Sequence, residues 1–407
     1  MNCRHCNNHL TNLFCDLQTC PPSNAMVSEH QLNSPETYFP LKVFVCEKCW
    51  LVQVEEIEKA EDIFNEEYTY FSSYSSSWLK HAKDYVEYMI KRFGYNSTNK
   101  VIEIASNDGY LLQYFKGANI PVLGIEPTSN TAKIAIEKGI NCIVDFFGEK
   151  LAEKELKNQA DLILGNNVLA HVPNINDFVK GVKVALKYNG VNTFEFPHLC
   201  KLVELNQFDT IYHEHFSYLT LTSVKIIFEK QGLEIFDVQE IPTHGGSLRI
   251  FAKHKEDFSK KIEQSVNDLL EKEKKLGVDD LFYYKGFQMK IDKIKYDLLS
   301  FLIDQKNKNK KTVAYGAAAK GNTLLNYCGI KGNDLISFVV DKSPFKQNKY
   351  LPGSRILVVD EGELRRYKPD NILIFPWNLS MEISEQLSYT KEWGAKLIVA
   401  IPEIKII

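Results

Sequence analysis

Between Lys100 and Phe196 short apolar runs alternate with stretches of helical periodicity. VIEIA, PVLGIE, DLILGN and GVNTFEF are compact hydrophobic blocks separated by helical segments. Runs of that length and type predict strands buried on both faces, and their alternation with helices predicts a doubly wound α/β domain with a parallel sheet. Upstream, WLKHAKDYVEYMIKRFG carries a helical pattern closed by Gly94, a natural left-handed cap. Downstream, KHKEDFSKKIEQSVNDLLEKEKKLG and a second stretch ending KNKNKK predict charged, amphipathic connecting helices. A further α/β unit opens at TVAYGAAAKGNTLLNY, where VAYG reads as a strand, GAAAKG as a loop and NTLLNY as the start of a helix. LISFVVD, NILIFPW and AKLIVAIP supply more strands.

At 407 residues there is room for two or three domains. A formal net charge of −3 gives no global pull toward nucleic acid or anionic membranes. No apolar run approaches a membrane span, and no leader pattern is visible. A cytoplasmic protein with neither nucleic-acid nor membrane partners is expected, as a monomer or weak dimer.

Cysteine spacing adds a metal. Cys3/Cys6 and Cys46/Cys49 are two C-x-x-C pairs separated by a 39-residue gap. Each pair places two thiolates on one turn, and two such turns make a four-sulfur site suited to structural zinc. Cys15, Cys20, His5 and His9 are spaced less regularly and read as packing residues. The acidic VEEIEKAEDIFNEEY that follows gives no basic stripe, so a small metal-stabilised folding unit is expected rather than a nucleic-acid module.

In the first α/β unit, Glu103 lies in a strand, and Asn107, Asp108 and Gly109 form the turn after it. The next strand ends in Glu126, 23 residues after Glu103. An acid there is placed to accept from both ribose hydroxyls of an adenosine, an arrangement common to S-adenosylmethionine and NAD sites. In DTIYHEHFSY (209–218), Tyr212, His213, Glu214 and His215 are four adjacent proton carriers. Metal ligation, proton transfer and a polar accident all remain open for them. GGSLR (245–249) offers backbone donors and Arg249, or else a turn with a surface arginine. Gly316 to Asn322 resembles a phosphate cradle with Lys320 as its charge, a second dinucleotide site using Asp341 being the alternative.

EIASNDGYLL, GIEP, GNNVLAHV, FEFPHL, FDTIYHEHFSY, THGGSLR, YGAAAKGNTLLNYCGI, DKSPFKQNKYLPG and PWNL occur in that order behind the doubled C-x-x-C. Together they resemble the NDP-sugar C-methyltransferases, which use S-adenosylmethionine to methylate C-3 of a 4-keto-deoxysugar nucleotide. One departure is Ala105, where the family usually has glycine.

The resemblance implies an N-terminal zinc-binding domain (1–66) and a class I, Rossmann-like methyltransferase domain (67–255). Connecting helices (256–310) and a smaller Rossmann-like C-terminal domain (311–407) follow. It implies His215 as the base for the C-3 proton, with Tyr212, Glu214 and His171 completing the catalytic set. Glu103, Ala105, Asn107, Asp108, Gly109, Glu126, Pro127, Asn166 and Asn167 are the candidate cofactor residues. Tyr68, Tyr70, His244, Arg249, Lys320 and Asn322 are the candidates for a sugar-nucleotide substrate. His213 is expected to point away from Tyr212 and Glu214 along an extended segment, and an i, i+2 His pair lacks the helical zinc-site geometry. Other classes consistent with the residues are a sugar-nucleotide 3-epimerase, an O-methyltransferase and a non-catalytic zinc-ribbon scaffold.

Overall fold

The structure, a computed structural model, describes residues 1–57, 59–64 and 71–407. The N-terminal region builds an antiparallel meander of β1 (Asn12–Cys20), β2 (Phe39–Val45) and β3 (Val52–Val54). A helix, Ser76–Phe93, follows and ends at Gly94 in the left-handed conformation, as its sequence predicts.

The central domain contributes β4 (Val101–Ile104), β5 (Val122–Ile125), β6 (Cys142–Ile143), β7 (Ala160–Asn166) and β8 (Leu186–Pro197), all pairing in parallel. Next come β9 (Ser217–Tyr218), β10 (Leu233–Ile241) and β11 (Ser247–His254). The seven-stranded order is β10-β11-β8-β7-β4-β5-β6, with β10 and β11 antiparallel. Every residue of β4 is buried, as an unbroken apolar run between two helical layers requires. Chain order reverses between β5 and β7, on either side of β4, so the loops at the carboxyl ends of these strands splay apart into a crevice.

The last domain repeats this plan with β12 (Thr312–Tyr315), β13 (Val339–Val340), β14 (Val358–Val359), β15 (Asn371–Ile374), β16 (Lys396–Val399) and β17 (Lys405–Ile406). Its order is β14-β13-β12-β15-β16-β17, parallel except for β17. The switch point falls after β12, at the loop leading into helix Ala319–Cys328.

Strand β9 does not join the central sheet. It pairs with β3, Val52 opposite Tyr218 and Gln53 opposite Ser217, and becomes the fourth strand of the N-terminal sheet. The N-terminal unit is therefore less self-contained than its sequence suggests. Phe14, Leu41 and Val43 share one core with Phe208 and Ile211, with Leu324 and Leu325, and with Ile291 and Leu298 of helix Phe287–Asn307. Cys15 and Cys20 are buried in that core, where they pack. No helix among the described residues is long and apolar enough to cross a membrane.

Candidate active site

The stretch 209–218 runs from a helical turn at Phe208–Thr210 to β9, and the chain must reverse between them. It does so through a tight turn closed by His215 N–H on the Tyr212 carbonyl at 2.9 Å. Tyr212 to His215 are therefore not extended, and the alternation of faces expected for them gives way to the turn. His213 donates from Nε2 to the Pro40 carbonyl at 3.2 Å and packs edge-on against Phe39, which fastens it to the N-terminal sheet. Glu214 is buried and accepts from Asn24 Nδ2 at 2.7 Å.

His215 is set differently. Its Nδ1–H donates to the Thr210 carbonyl at 2.8 Å. A carbonyl can only accept, so this partner fixes the neutral tautomer whose Nε2 carries the lone pair. Burial, then the neighbouring His171, holds its pKa well below the ordinary imidazole value. The Tyr212 ring lies 4.0 Å from that of His215, and the His171 ring 4.6 Å. Burial lowers His171 to about 4. His213 and His215 thus face different partners, and among the described residues neither belongs to a group of potential metal ligands.

The C-terminal domain closes on the same stretch. Thr323 Oγ1 donates to the Ile211 carbonyl at 2.9 Å, which lays helix Ala319–Cys328 against it. Trp377 Nε1 donates to buried Asp209 at 2.7 Å, and burial pushes that carboxyl up to about 6. Lys320 donates to Asn378 Oδ1 at 2.7 Å and lies 4.5 Å from the Trp377 ring centroid. Gly245 is needed where Trp377 passes: its φ is +89°, and a Cβ would sit 2.5 Å from Trp377 Cη2. Asn322 is buried, its Nδ2 without a hydrogen-bond partner.

At the carboxyl ends of the central strands, Ala105 and Asn107 adopt left-handed φ values of 56° and 50°. Asn107 N–H donates to Glu126 Oε2 at 2.8 Å, and Glu126 also accepts from the Thr128 amide at 2.9 Å. Pro127 separates these two acceptor and donor positions. Burial pushes the Glu126 carboxyl up despite these donors, and Glu103, deeper on β4, is pushed well above its ordinary value by burial and by Glu126. Gly109, at φ +75°, abuts Ile140, where a Cβ would come within 2.5 Å of Cδ1. The Ser72 and Ser73 amides donate to Asn107 Oδ1 and Asp108 Oδ2, laying that turn over the loop. Asn166 Oδ1 and Nδ2, Asn167 Oδ1 and Asp108 Oδ1 are buried without a hydrogen-bond partner. Such orphaned polar atoms, lining the carboxyl edge of the sheet, fit a ligand that is itself polar, such as the amino-acid and ribose groups of S-adenosylmethionine.

Asn167 Nδ2 also donates to His244 Nε2 at 2.8 Å. His244 has a left-handed φ of 54° and packs against Trp78, ring centroids 5.1 Å apart. Arg249 is neither a surface residue nor an open donor pair. It is buried on β11, with Nε on Glu195 Oε1 at 2.6 Å and a second donor on Gln239 at 3.1 Å. Tyr68 and Tyr70 lie outside the described residues.

The four N-terminal cysteines converge, with ligand atoms all within 4.8 Å of one another. Cys3 and Cys49 sulfurs are 3.5 Å apart, as are those of Cys6 and Cys46, and Gln53 Nε2 donates to Cys3 Sγ at 3.2 Å. Four sulfurs with a supporting donor fit tetrahedral zinc. A second grouping, His198, Cys200 and Glu273, does not: the Glu273 carboxylate already accepts from His198, the Leu221 and Thr222 amides and the Thr222 hydroxyl.

Three family models match the chain in sequence: "Putative zinc binding domain" over 3–64, "Methyltransferase domain" over 78–238 and "C-methyltransferase C-terminal domain" over 242–402. The C-methyltransferase NovU of Streptomyces niveus is 33% identical over 376 residues, covering 91% of this chain and 88% of that protein. The chain belongs to the C-methyltransferase family. As a family member it is an S-adenosylmethionine-dependent enzyme with a structural zinc. Solved structures match the chain more loosely. PH0226 protein from Pyrococcus horikoshii OT3 is 15% identical at a TM-score of 0.38, covering 46% of this chain and 95% of its own. The 1,6-didemethyltoxoflavin-N1-methyltransferase of Burkholderia thailandensis is 15% identical at 0.34, covering 44% and 78%. Likenesses that loose assign nothing further.

Sequence reasoning missed Asn24, Asp209, Trp377 and Asn378. Asp209 heads the conspicuous stretch and Trp377 sits in PWNL, so both were in view as pattern. Asn24 carried no signal at all, because only the three-dimensional path of the N-terminal loop brings it to Glu214.

Proposed function

We propose that this C-methyltransferase methylates C-3 of a 4-keto-deoxysugar nucleotide, with His215 as the base. The observation that carries the reading is the Nδ1–H bond of His215 to the Thr210 carbonyl, which leaves Nε2 as a lone pair beside His171 and Tyr212. A carbon next to a ketone is only weakly acidic, so its methylation needs a base that is already deprotonated and a group that meets the developing enolate oxygen.

His215 Nε2 takes the C-3 proton, and the C–H electron pair moves into the C-3–C-4 bond as the carbonyl becomes an enolate. Burial keeps His215 neutral beforehand, so it is ready to accept. Glu214, braced by Asn24, and Tyr212 hold the sugar so that C-3 faces Nε2. His171, lowered to about 4 by burial, stays neutral and so puts no positive charge beside His215 that would weaken it as a base. S-adenosylmethionine, when bound, supplies an electrophilic methyl. Glu126 accepts from its ribose, while Glu103, Asn107, Asp108, Asn166 and Asn167 present polar groups to the rest of it. His244, Lys320 and Asn322 face the substrate side, and Arg249 braces the sheet beneath through Glu195.

The test is incubation of the enzyme with dTDP-, GDP- and CDP-linked 4-keto-6-deoxyhexoses and methyl-labelled cofactor. Label on C-3 of one of them is expected. Label on oxygen, or inversion at C-3 without label, replaces this reading with O-methylation or epimerisation.

A further inference from the structure

We propose that Lys320 meets the C-4 oxygen of the substrate, as the cation that stabilises the enolate, rather than anchoring the diphosphate. This rests on the reading of His215 as base and names the group that completes it.

Lys320 lies in the first turn of helix Ala319–Cys328, and one turn later Thr323 bonds the Ile211 carbonyl, the residue before Tyr212. That bond places the lysine against the segment carrying the base. Trp377 then sets its direction, with the ring under the ammonium at 4.5 Å and the indole N–H on Asp209 at 2.7 Å. Asn378 holds one ammonium proton, which leaves two of the three donors without partners among the described residues. The charge of Lys320 is felt by both His215 and His244, so the ammonium lies near both imidazoles.

The surroundings disfavour a diphosphate there. Asp209 is buried beside Lys320, with Oδ1 lacking a partner, and would repel a multiply charged anion. The loop that resembles a phosphate cradle is already filled from within: Asp341 accepts from the Ala317 amide at 2.7 Å, and Lys346 donates to the Ala317 carbonyl at 2.7 Å. A neutral ketone oxygen that turns negative only during reaction suits the site better. Asp209 does not oppose its binding, and the ammonium gains its full interaction only as charge develops. The aromatic face beneath the ammonium orders it without neutralising it. The balance is complete with groups already named: the C-3 proton goes to His215, the electron pair to the C-4 oxygen, and that oxygen accepts a hydrogen bond from Lys320.

The experiment separates the two roles of a cation. C-3 deuterium exchange is followed in deuterium oxide with S-adenosylhomocysteine present, using whichever of the three sugar nucleotides above wild type exchanges fastest. Affinity for the matching free nucleoside diphosphate is measured by calorimetry. Lys320→Met is expected to lower exchange by about 10²-fold or more, as removal of one oxyanion donor does, with diphosphate affinity kept. Asn378→Ala, which frees the lysine without discharging it, is expected to give a smaller loss of the same kind, and it carries the test if Lys320→Met does not fold. Exchange at the wild-type rate in these variants overturns the proposal, as does a loss of about tenfold or more in diphosphate affinity. Absence of exchange by wild type on all three substrates defeats the base assignment itself, a distinct outcome.

Discussion

Asn24, in the loop between β1 and β2, donates its side-chain amide to Glu214 Oε1 at 2.7 Å, so the zinc-bearing region braces the stretch 209–218. His213 on Pro40 and β9 on β3 are further ties between the same two regions. Asn24→Ala removes a donor from a buried carboxyl oxygen, a loss of about 1–3 kcal/mol where it is fully expressed. A fall in kcat/KM of about tenfold or more is expected, with cofactor affinity unchanged. Steady-state kinetics beside calorimetric titration of S-adenosylhomocysteine checks both halves.

Zinc should matter for the same reason. Arg4, between Cys3 and Cys6, bonds the Pro173 carbonyl at 3.0 Å, two residues beyond His171, and lies over the Phe216 ring at 5.4 Å, next to His215. Cys46→Ser with Cys49→Ser should abolish the bound metal and lower both Tm and activity. Metal content by elemental analysis and a melting curve read the result. Unchanged Tm in a zinc-free variant would separate the metal from the fold.

Much of the architecture was legible because buried parallel strands are unbroken apolar runs, and Gly94, the doubled C-x-x-C and the acid of Glu126 are local signals. The turn at Tyr212–His215 was not, since nothing local announces that the chain leaves the central domain there to add a strand to another sheet. The burial of Arg249 is illegible for a related reason. Its partner Glu195 lies on β8, and only strand pairing, with Arg249 opposite Glu195, brings the charges together. Ala105 read as a departure from glycine, and the structure gives that departure a physical meaning, a left-handed φ of 56° that glycine would adopt without strain.

Cofactor binding should depend on Glu126. Its carboxylate takes the Asn107 amide at 2.8 Å and so shapes the loop in addition to the ribose contact proposed for it. Glu126→Gln keeps an acceptor but loses the charge, and Glu126→Ala loses both. Calorimetric affinity for S-adenosylhomocysteine should fall in the order wild type, Gln, Ala, the last by about 1–3 kcal/mol. Equal affinities would place the ribose elsewhere.

The pH behaviour follows from buried neutral imidazoles. His171 and His244 are held to about 4, and His215 well below its ordinary value, by burial first in each case. A depressed folded pKa means that the unfolded chain binds protons first, so stability falls as pH drops below the unfolded value of about 6.5 toward 4. Tm measured between pH 7 and 5 should decline, and less steeply in His171→Asn. Burial holds His215, the proposed base, well below the ordinary imidazole value, so C-3 exchange should not fall near pH 6.5 as it would with a free imidazole as base.

The most direct measurement is C-3 deuterium exchange by His215→Asn in the presence of S-adenosylhomocysteine, on the sugar nucleotide that wild type exchanges. A general base contributes roughly 10²–10⁴-fold, so exchange should fall by at least about that much while substrate binding changes little. Exchange by His215→Asn at the wild-type rate would contradict the account and pass the role of base to His171 or a tyrosine.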